Sequence, residues 1–246
     1  MTQLSVNLNK IALLRNSRGR DFPSVVAFAE KFIALGAHGI TIHPRPDARH
    51  ATAQDAHNLK AALAAYPDVE LNIEGYPTED FLALIDTVKP HQCTLVPDEP
   101  NQLTSDHGWD FSQHAEFLET VLTRIHTAGV RSSVFLDPDT DQVQRAAKSS
   151  AQRIELYTEG FASAHGTDSA SSVLAQYREA AELARRLGLG VNAGHDLDLN
   201  NLPTFLTIPG ILEVSIGHVL TVECIERGMA AVIEDYLAIC STNLPG

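Results

Sequence analysis

The chain has 246 residues, with 18 Lys and Arg against 31 Asp and Glu, a formal net charge of −13. A hydrophobic content of 44% with 20% charged residues supplies a core and excludes a disordered chain, and the acidic balance argues against a nucleic-acid partner. The apolar stretches are strand-sized and broken by charges, which excludes a membrane-spanning segment.

The first apolar run, Leu4–Leu8, reads as a strand that leads into Asn9-Lys10. Helical spacing of three and four follows at Val25, Ala29, Phe32 and Ile33, and Gly36 closes that helix before the next strand, Gly39–His43. A third strand, Val69–Ile73, precedes Glu74; the helical set Phe81, Leu82, Ile85 and Val88 then leads to a fourth, Cys93–Val96. The long polar connection Asp98–Asp110 separates it from the next helix, which Gly129 ends ahead of strand Ser132–Leu136. A sixth strand, Ile154–Tyr157, carries Glu155 and runs into a second long connection, Gly160–Ser169. Gly188 marks the turn into strand Leu189–Asn192, and Leu212–Ile216 is the eighth. The last helix carries Ile225, Met229, Val232, Ile233, Tyr236 and Leu237.

Eight strands alternating with helices imply parallel pairing, because each crossover is a helix rather than a hairpin. A doubly wound sheet gives the same alternation, but the count of eight and a length of about 250 residues favour a closed α/β barrel, a (β/α)8 TIM barrel. No linker, low-complexity tract or charge block divides the chain, so residues 1–246 read as a single TIM-barrel domain. The two long connections are expected to act as lids over a site. The N-terminal MTQLSVNLNK lacks the basic and apolar regions of a signal peptide, and three scattered cysteines suit a reducing compartment, so the expected location is cytoplasmic.

In a parallel barrel the chemistry lies at the C-terminal ends of the strands. Those ends carry Asn7, Asn9 and Lys10, His43 and Arg45, Glu74, Asp98, Asp137, Glu155 with Thr158, His195, and His218. A lone histidine there is more often structural, and a carboxylate often only caps a helix; the convergence of all these groups on one cavity is what points to a site. His43, Glu74 and His195 have the chemistry to move protons. Arg18, Arg45 and His50 sit in or beside loops where cationic donors hold phosphate, although surface salt bridging is an equally ordinary role for the arginines. Gly194 and Gly217 end the seventh and eighth strands, the common phosphate site of such barrels, and each is also explained by a tight turn. These residues together point to an acid–base enzyme acting on a phosphorylated small molecule. Of the five lysines only Lys10 lies at a strand end, where imine chemistry would need it. The chain has 11 His but no His-x-His pair or His-Glu-x-x-His helix, so no metal is assigned.

Six motifs in order resemble one family: LSVNLNKIALLRNSRG (Leu4–Gly19), GITIHPRPDARH (Gly39–His50), LNIEG (Leu71–Gly75), TLVPDEPNQLTS (Thr94–Ser105), VNAGHDL (Val191–Leu197) and SIGHVL (Ser215–Leu220). The chain from Leu4 to Leu237 is similar to the pyridoxine 5'-phosphate synthases of one vitamin B6 route. The resemblance implies a (β/α)8 barrel with extra helices that build a homo-octamer from dimers. It implies condensation of 1-deoxy-D-xylulose 5-phosphate with 3-amino-2-oxopropyl phosphate to pyridoxine 5'-phosphate, phosphate and water, with no cofactor. His43 and Glu74 match the family's proton acceptors, His195 its proton donor, and Glu155 a carboxylate that stabilises charged intermediates. Asn7, Arg18, Asp196, Gly217 and His218 fall where the family holds the amino-ketone phosphate. Asn9, Lys10, Arg45, His50 and Thr104 fall where it holds the deoxyxylulose phosphate, and the Asp98–Asp110 connection resembles its closing loop.

Two departures from the commonest family pattern stand out. Asn7-Leu8-Asn9-Lys10 stands where many members read Asn-x-Asp-His, and Asp196 where a glycine is frequent after the NAGH histidine. A carboxylate facing a phosphate repels it, so the Asp196 side chain is expected to turn away and cap the following helix. Two other functions fit the same residues. A metal-dependent barrel hydrolase or sugar-phosphate epimerase would use His43, Glu74, His195 and His218 as ligands. A phosphate-metabolite-binding protein without catalysis would keep the barrel alone.

Overall fold

The computed structural model describes residues 1–98, 102 and 105–242. Eight parallel strands close in sequence order into one barrel: β1 (Gln3–Asn7), β2 (Gly39–Ile42), β3 (Glu70–Gly75), β4 (Gln92–Leu95), β5 (Arg131–Leu136), β6 (Arg153–Tyr157), β7 (Gly190–Gly194) and β8 (Ile211–Ile216). Closure runs through β1 and β8, with Ser5 opposite Ser215. All eight strands expected from the sequence are present. The third extends further than its apolar run, because Glu74 and Gly75 pair with Thr94 and Leu95 of β4.

The helices between them are α1 (Asn9–Asn16), α2 (Val25–Ala34), α3 (Ala53–Leu63), α4 (Glu79–Val88), α5 (Phe111–Thr127), α6 (Thr140–Ala146), α7 (Glu159–Ala164), α8 (Ala170–Arg186), α9 (Leu202–Phe205), α10 (His218–Arg227) and α11 (Met229–Ser241). That is three more, among the described residues, than the eight a minimal barrel needs. Side-chain caps set the starts: Ser24 for α2, a Thr52/Asp55 capping box for α3, Thr78 for α4 and Asp110 for α5. Gly36, Gly129 and Gly188 take φ of +101°, +78° and +88°, as the helix-to-strand turns require. The connection expected over Gly160–Ser169 is not an open lid, because α7 occupies its first half and α8 begins at Ala170. No helix among the described residues is long and apolar enough to cross a membrane.

The strands alternate, apart from a register shift between β7 and β8 at Val191/Asn192, and the inside of the barrel is mostly polar. Leu4, Val6, Ile40, Ile42, Leu71 and Ile73 face outward and join Phe32, Leu59, Ile85, Leu122, Phe205 and Tyr236 in one core cluster. Inside, side chains reach one another across the barrel. Gln92 of β4 donates to Glu213 of β8 at 3.4 Å and accepts from Asn192 of β7 at 3.2 Å. One layer up, Thr94 donates to Asn72 (3.0 Å), Asn72 to Thr41 (3.3 Å), and Thr41 bonds Ser5 (2.7 Å).

The N-terminal end of this interior is closed by ion pairs. Arg131 donates to Glu70 at 3.0 Å, and Arg153 lies 3.6 Å from Glu213, which is 4% exposed. Breaking a buried pair by removing one partner costs about 3–5 kcal/mol, since the other charge is left uncompensated. Arg153→Met should therefore lower the unfolding free energy measured by urea titration by an amount in that range. Adding Glu213→Leu to it should restore most of the loss. A double variant no more stable than Arg153→Met would contradict the pairing.

Candidate active site

At the C-terminal end of the strands lies a cavity of about 600 Å3. Its lining includes twelve of the fourteen residues singled out from the sequence. The four expected to move protons, His43, Glu74, Glu155 and His195, come from β3 and β6 and from the residues that follow β2 and β7. Asn7, Asn9 and Lys10 enter from the end of β1 and the start of α1, Arg45 and His50 from the segment after β2. Asp196, Gly217 and His218 complete the opposite rim. Arg18 lies on the exposed turn after α1 and outside this lining. Thr104 lies outside the described residues, as do positions 99–101 and 103 of the connection expected to close over the site.

The two histidines after β2 are held neutral. His43 is pushed well below its ordinary value by burial and then by the charges of Arg45, the His50 imidazole and Arg49. His50 is pushed down to about 4 by burial, with Arg45 and Lys10 adding to it. Their rings meet edge-on with centroids 6.0 Å apart. The Asn9 side chain accepts the backbone N–H of His43 at 2.9 Å, and Asn7 accepts that of Asn9 at 3.0 Å. Both asparagines thus spend their carbonyl oxygens on fixing the mouth of β1 and β2, leaving their amide N–H groups as donors.

The carboxyls behave in the opposite sense. Glu74 is raised to about 8, by burial first and then by repulsion from Asp98 and Glu213. Burial also raises Glu155 well above the carboxylate range, with Glu74 and Glu213 adding repulsion. Their hydrogen bonds are long: Asn7 and Ser215 donate to Glu74 at 3.4 and 3.5 Å, and Thr94 to Glu155 at 3.4 Å. Gly194 is required by this crowding, because a Cβ there would lie 2.4 Å from Glu155 Oε1. Its room is taken by a carboxyl, not left for a phosphate. Gly217 similarly makes way for Asn7, 2.9 Å from where its Cβ would be, and then caps α10.

Arg45 is only 8% exposed, ion-paired to Asp98, and donates to the Gln102 carbonyl at 2.6 Å. Asp98 also accepts from Ser105 at 2.9 Å, and burial raises it despite the arginine. The far end of the same connection is pinned: Trp109 donates from its backbone to Phe135 and from its indole to Leu95, at 2.8 and 3.0 Å. Asp137 accepts from Gly108 at 3.1 Å, so this strand-end carboxylate serves the scaffold.

After β7 the backbone turns through two left-handed residues, His195 at φ +91° and Asp196 at +57°. The Asp196 carboxylate does not cap the next helix, contrary to expectation: it sits 2.7 Å from His195 Nδ1. Asp198 accepts the backbone N–H groups of Asn200 and Asn201 at 2.8 and 2.7 Å and so closes the turn that leads into α9, which has no side-chain cap. The sequence reading missed Arg49, Ser105, Phe135 and Ser215, which also line the cavity. Ser215 and Phe135 share the inward parity of Glu155 and Glu74 on their strands, and that parity was the available signal. Among the described residues, no three of His, Cys, Asp and Glu are grouped to hold a metal.

Glu74 titrates near 8 in the folded chain and about 4.3 when unfolded, so the folded form keeps a proton that the unfolded form releases. Its contribution to stability is complete below the lower value and is lost as pH rises through the higher one. Glu74→Gln should therefore raise the melting temperature little near pH 5 and progressively more toward pH 9. An equal change at both pH values would contradict the buried carboxyl.

The sequence matches the family described as "Pyridoxal phosphate biosynthesis protein PdxJ" over residues 4–242. It is 50% identical over 237 residues to a pyridoxine 5'-phosphate synthase of Bacteroides fragilis strain YCH46, covering 96% of this chain and 98% of that one. A second such synthase, from Agrobacterium fabrum, is 47% identical over 243 residues, covering 97% of each chain. Among solved structures, phosphoribosyl anthranilate isomerase from Thermus thermophilus superposes with a TM-score of 0.61 at 15% identity, over 97% of this chain and 100% of that one. KGPDC from Streptococcus mutans does so at 0.66 and 11% identity, over 98% of both chains. At such identities these two share the fold alone.

Proposed function

The chain belongs to the PdxJ family of pyridoxal phosphate biosynthesis proteins, and from that premise we propose how its cavity carries out pyridoxine 5'-phosphate synthesis. The reaction joins 1-deoxy-D-xylulose 5-phosphate to 3-amino-2-oxopropyl phosphate, closes a pyridine ring, and releases phosphate and water. It loses only water and phosphate, so the overall conversion needs no electron acceptor. The amine of one substrate attacks the ketone of the other, and the resulting imine links the two substrates without an enzyme lysine.

The observation that carries this reading is a cavity in which neutral imidazole and raised carboxyl groups face each other. Dehydration, phosphate elimination, ring closure and aromatisation each move protons, and a positioned acid or base is worth about 10²–10⁴ in rate for such a step. His43, kept neutral, accepts a proton. Glu74, near 8, both takes and returns one. His195 donates. Glu155, uncharged in the empty cavity, ionises when a cationic intermediate stands above it, and so stabilises that charge. Val96 and Phe135 give the forming ring an apolar wall.

Two phosphates on a chain of net charge −13 need local positive potential. Lys10, Arg45 and Arg49 supply it on one side, for the deoxyxylulose phosphate, with the neutral His50 beside them as a hydrogen-bonding group. The N-terminus of α10, at Gly217 and His218, supplies it on the other, with Asn7, for the amino-ketone phosphate. Arg18 and Thr104 belong to these two groups by family pattern only. A cytoplasmic homo-octamer belongs to the same reading. Exposed apolar residues on neighbouring helices support the assembly: Leu13 and Leu14 of α1, Val222 and Ile225 of α10.

The deciding experiment follows pyridoxine 5'-phosphate and released phosphate together by mass spectrometry, with metal-stripped protein and both substrates. Product formed in a chelator, and only with both substrates, is the expected result. No product from folded protein, or product only after a metal is returned, would overturn it. Glu74→Gln should bind both substrates while turnover falls by about 10²–10⁴, and near-normal turnover would remove Glu74 from the mechanism. Arg45→Ala should raise KM for the deoxyxylulose phosphate about tenfold or more, the worth of a charge-assisted hydrogen bond. An unchanged KM would remove that contact.

A further inference from the structure

The turn after β7 places two non-glycine residues in succession in the left-handed region, a conformation that costs about 1–3 kcal/mol per residue unless the surroundings impose it. Here both carbonyls are tied down. The Thr158 hydroxyl, fully buried, bonds the His195 carbonyl and lies 2.8 Å from that of Gly194. Asn201 Nδ2, on a residue 4% exposed, donates to the Asp196 carbonyl at 3.0 Å. The outcome of that bracing is the carboxylate–imidazole contact of 2.7 Å between Asp196 and His195 Nδ1. The same His195 ring packs edge-on to Tyr157, with centroids 5.0 Å apart.

We propose that Asp196 is a positioning residue for catalysis: it fixes the proton on His195 Nδ1 and so sets His195 apart, as an acid, from His43 and His50 in the same cavity. The proposal rests on the reading of His195 as proton donor. Asp196 is held below the carboxylate range, chiefly by its bond to His195, and an ionised carboxylate only accepts; the proton between them therefore sits on Nδ1. The other nitrogen, Nε2, is then the one that exchanges protons with substrate.

The groups facing this imidazole explain why a carboxylate is needed. Lys10 of α1 and His218 of α10 face the Asp196 carboxylate, and Tyr157 of β6 covers one edge of the His195 ring. Glu74 of β3 and Glu155 of β6 share the cavity, and burial raises both above the ordinary carboxylate range. His43 and His50 face similar cations, and among the described residues no acidic side chain is bonded to either ring; both are driven neutral. His195 instead has the Asp196 carboxylate 2.7 Å from Nδ1, a fixed acceptor for a proton carried there. Asp196 thereby separates an acid from a base built of the same residue type.

Asparagine tolerates the left-handed region and keeps an acceptor, so Asp196→Asn removes the charge and preserves the turn. In that variant kcat should fall by about 10–100-fold, part of what a positioned acid supplies, with KM for both substrates within about twofold. The alkaline limb of its kcat profile should move to lower pH. A limb that stays in place, or a change confined to KM for the amino-ketone phosphate, would overturn the proposal and return Asp196 to phosphate binding. Independently of turnover, magic-angle-spinning 15N spectra of histidine-labelled protein, with His195→Gln to assign the signal, should show a protonated Nδ1 in the wild type. An unprotonated Nδ1 would overturn the proposal even in an active enzyme. A protonated one in protein that makes no pyridoxine 5'-phosphate would keep the pair and discard the reaction.

Discussion

The rest of the molecule depends on one inversion: the barrel puts polar side chains inside and apolar ones outside. Burying an isolated polar group costs several kcal/mol, so an interior of this kind stands only if its members satisfy one another. They do so by reaching across strands, as Gln92 does to Glu213 and Asn192, and as Thr94 does to Asn72. The apolar half of each strand is then free to face the helices, and one continuous cluster from Leu4 to Cys240 forms around the barrel instead of within it. The cavity at the top is the last layer of the same polar interior, opened to solvent. Its acid–base character follows from that position: carboxyls stacked in a low-dielectric column repel one another's charge and remain protonated.

Histidines show how local partners divide one residue type into different tasks. His38 and His91 stand at the opposite end of the barrel, where each accepts a strand N–H on Nδ1, from Leu4 at 3.2 Å and Leu71 at 2.8 Å. They are structural, as a lone histidine usually is, and burial lowers both. His43 and His50 differ from them in facing arginines across a cavity. His195 differs from all four in its bonded carboxylate. Residue identity alone does not separate these three classes; the nearest polar atom does.

The architecture was legible because parallel strands alternate with helices, and period-two and period-3.6 patterns are both written in side-chain polarity. The cavity was legible because a closed barrel gathers the strand ends, so His43, Glu74, Glu155 and His195 could be brought together before any coordinates. What stayed hidden was pairing. Nothing in the order of residues says that Arg45 is already engaged by Asp98, that Gly194 makes room for Glu155, or that Asp196 turns back onto His195. Each depends on side-chain directions set by tertiary context. The helix α7 was missed for a nearer reason: its six residues are too few to show a periodic stripe, and Gly160 within them reads as a loop.

The two ends of the barrel hold the same kinds of charged residue with opposite consequences. At the N-terminal end Glu70 and Glu213 each have an arginine, Arg131 and Arg153, and the charges close the column. At the C-terminal end Glu74 and Glu155 have no ion-pair partner among the described residues, and Arg45, which reaches the cavity, is paired with Asp98. The bonded arginine holds Glu70 below the ordinary carboxylate value, whereas burial raises Glu213 to about 7 even with Arg153 at 3.6 Å, and the upper carboxyls have no cation within ion-pair distance among the described residues. Leaving them unpaired destabilises the fold at high pH and keeps their protons exchangeable near neutrality. A carboxyl of this barrel thus keeps its proton toward neutrality where burial outweighs the nearest cation, as at Glu74 and Glu213, and gives it up where a bonded arginine outweighs burial, as at Glu70.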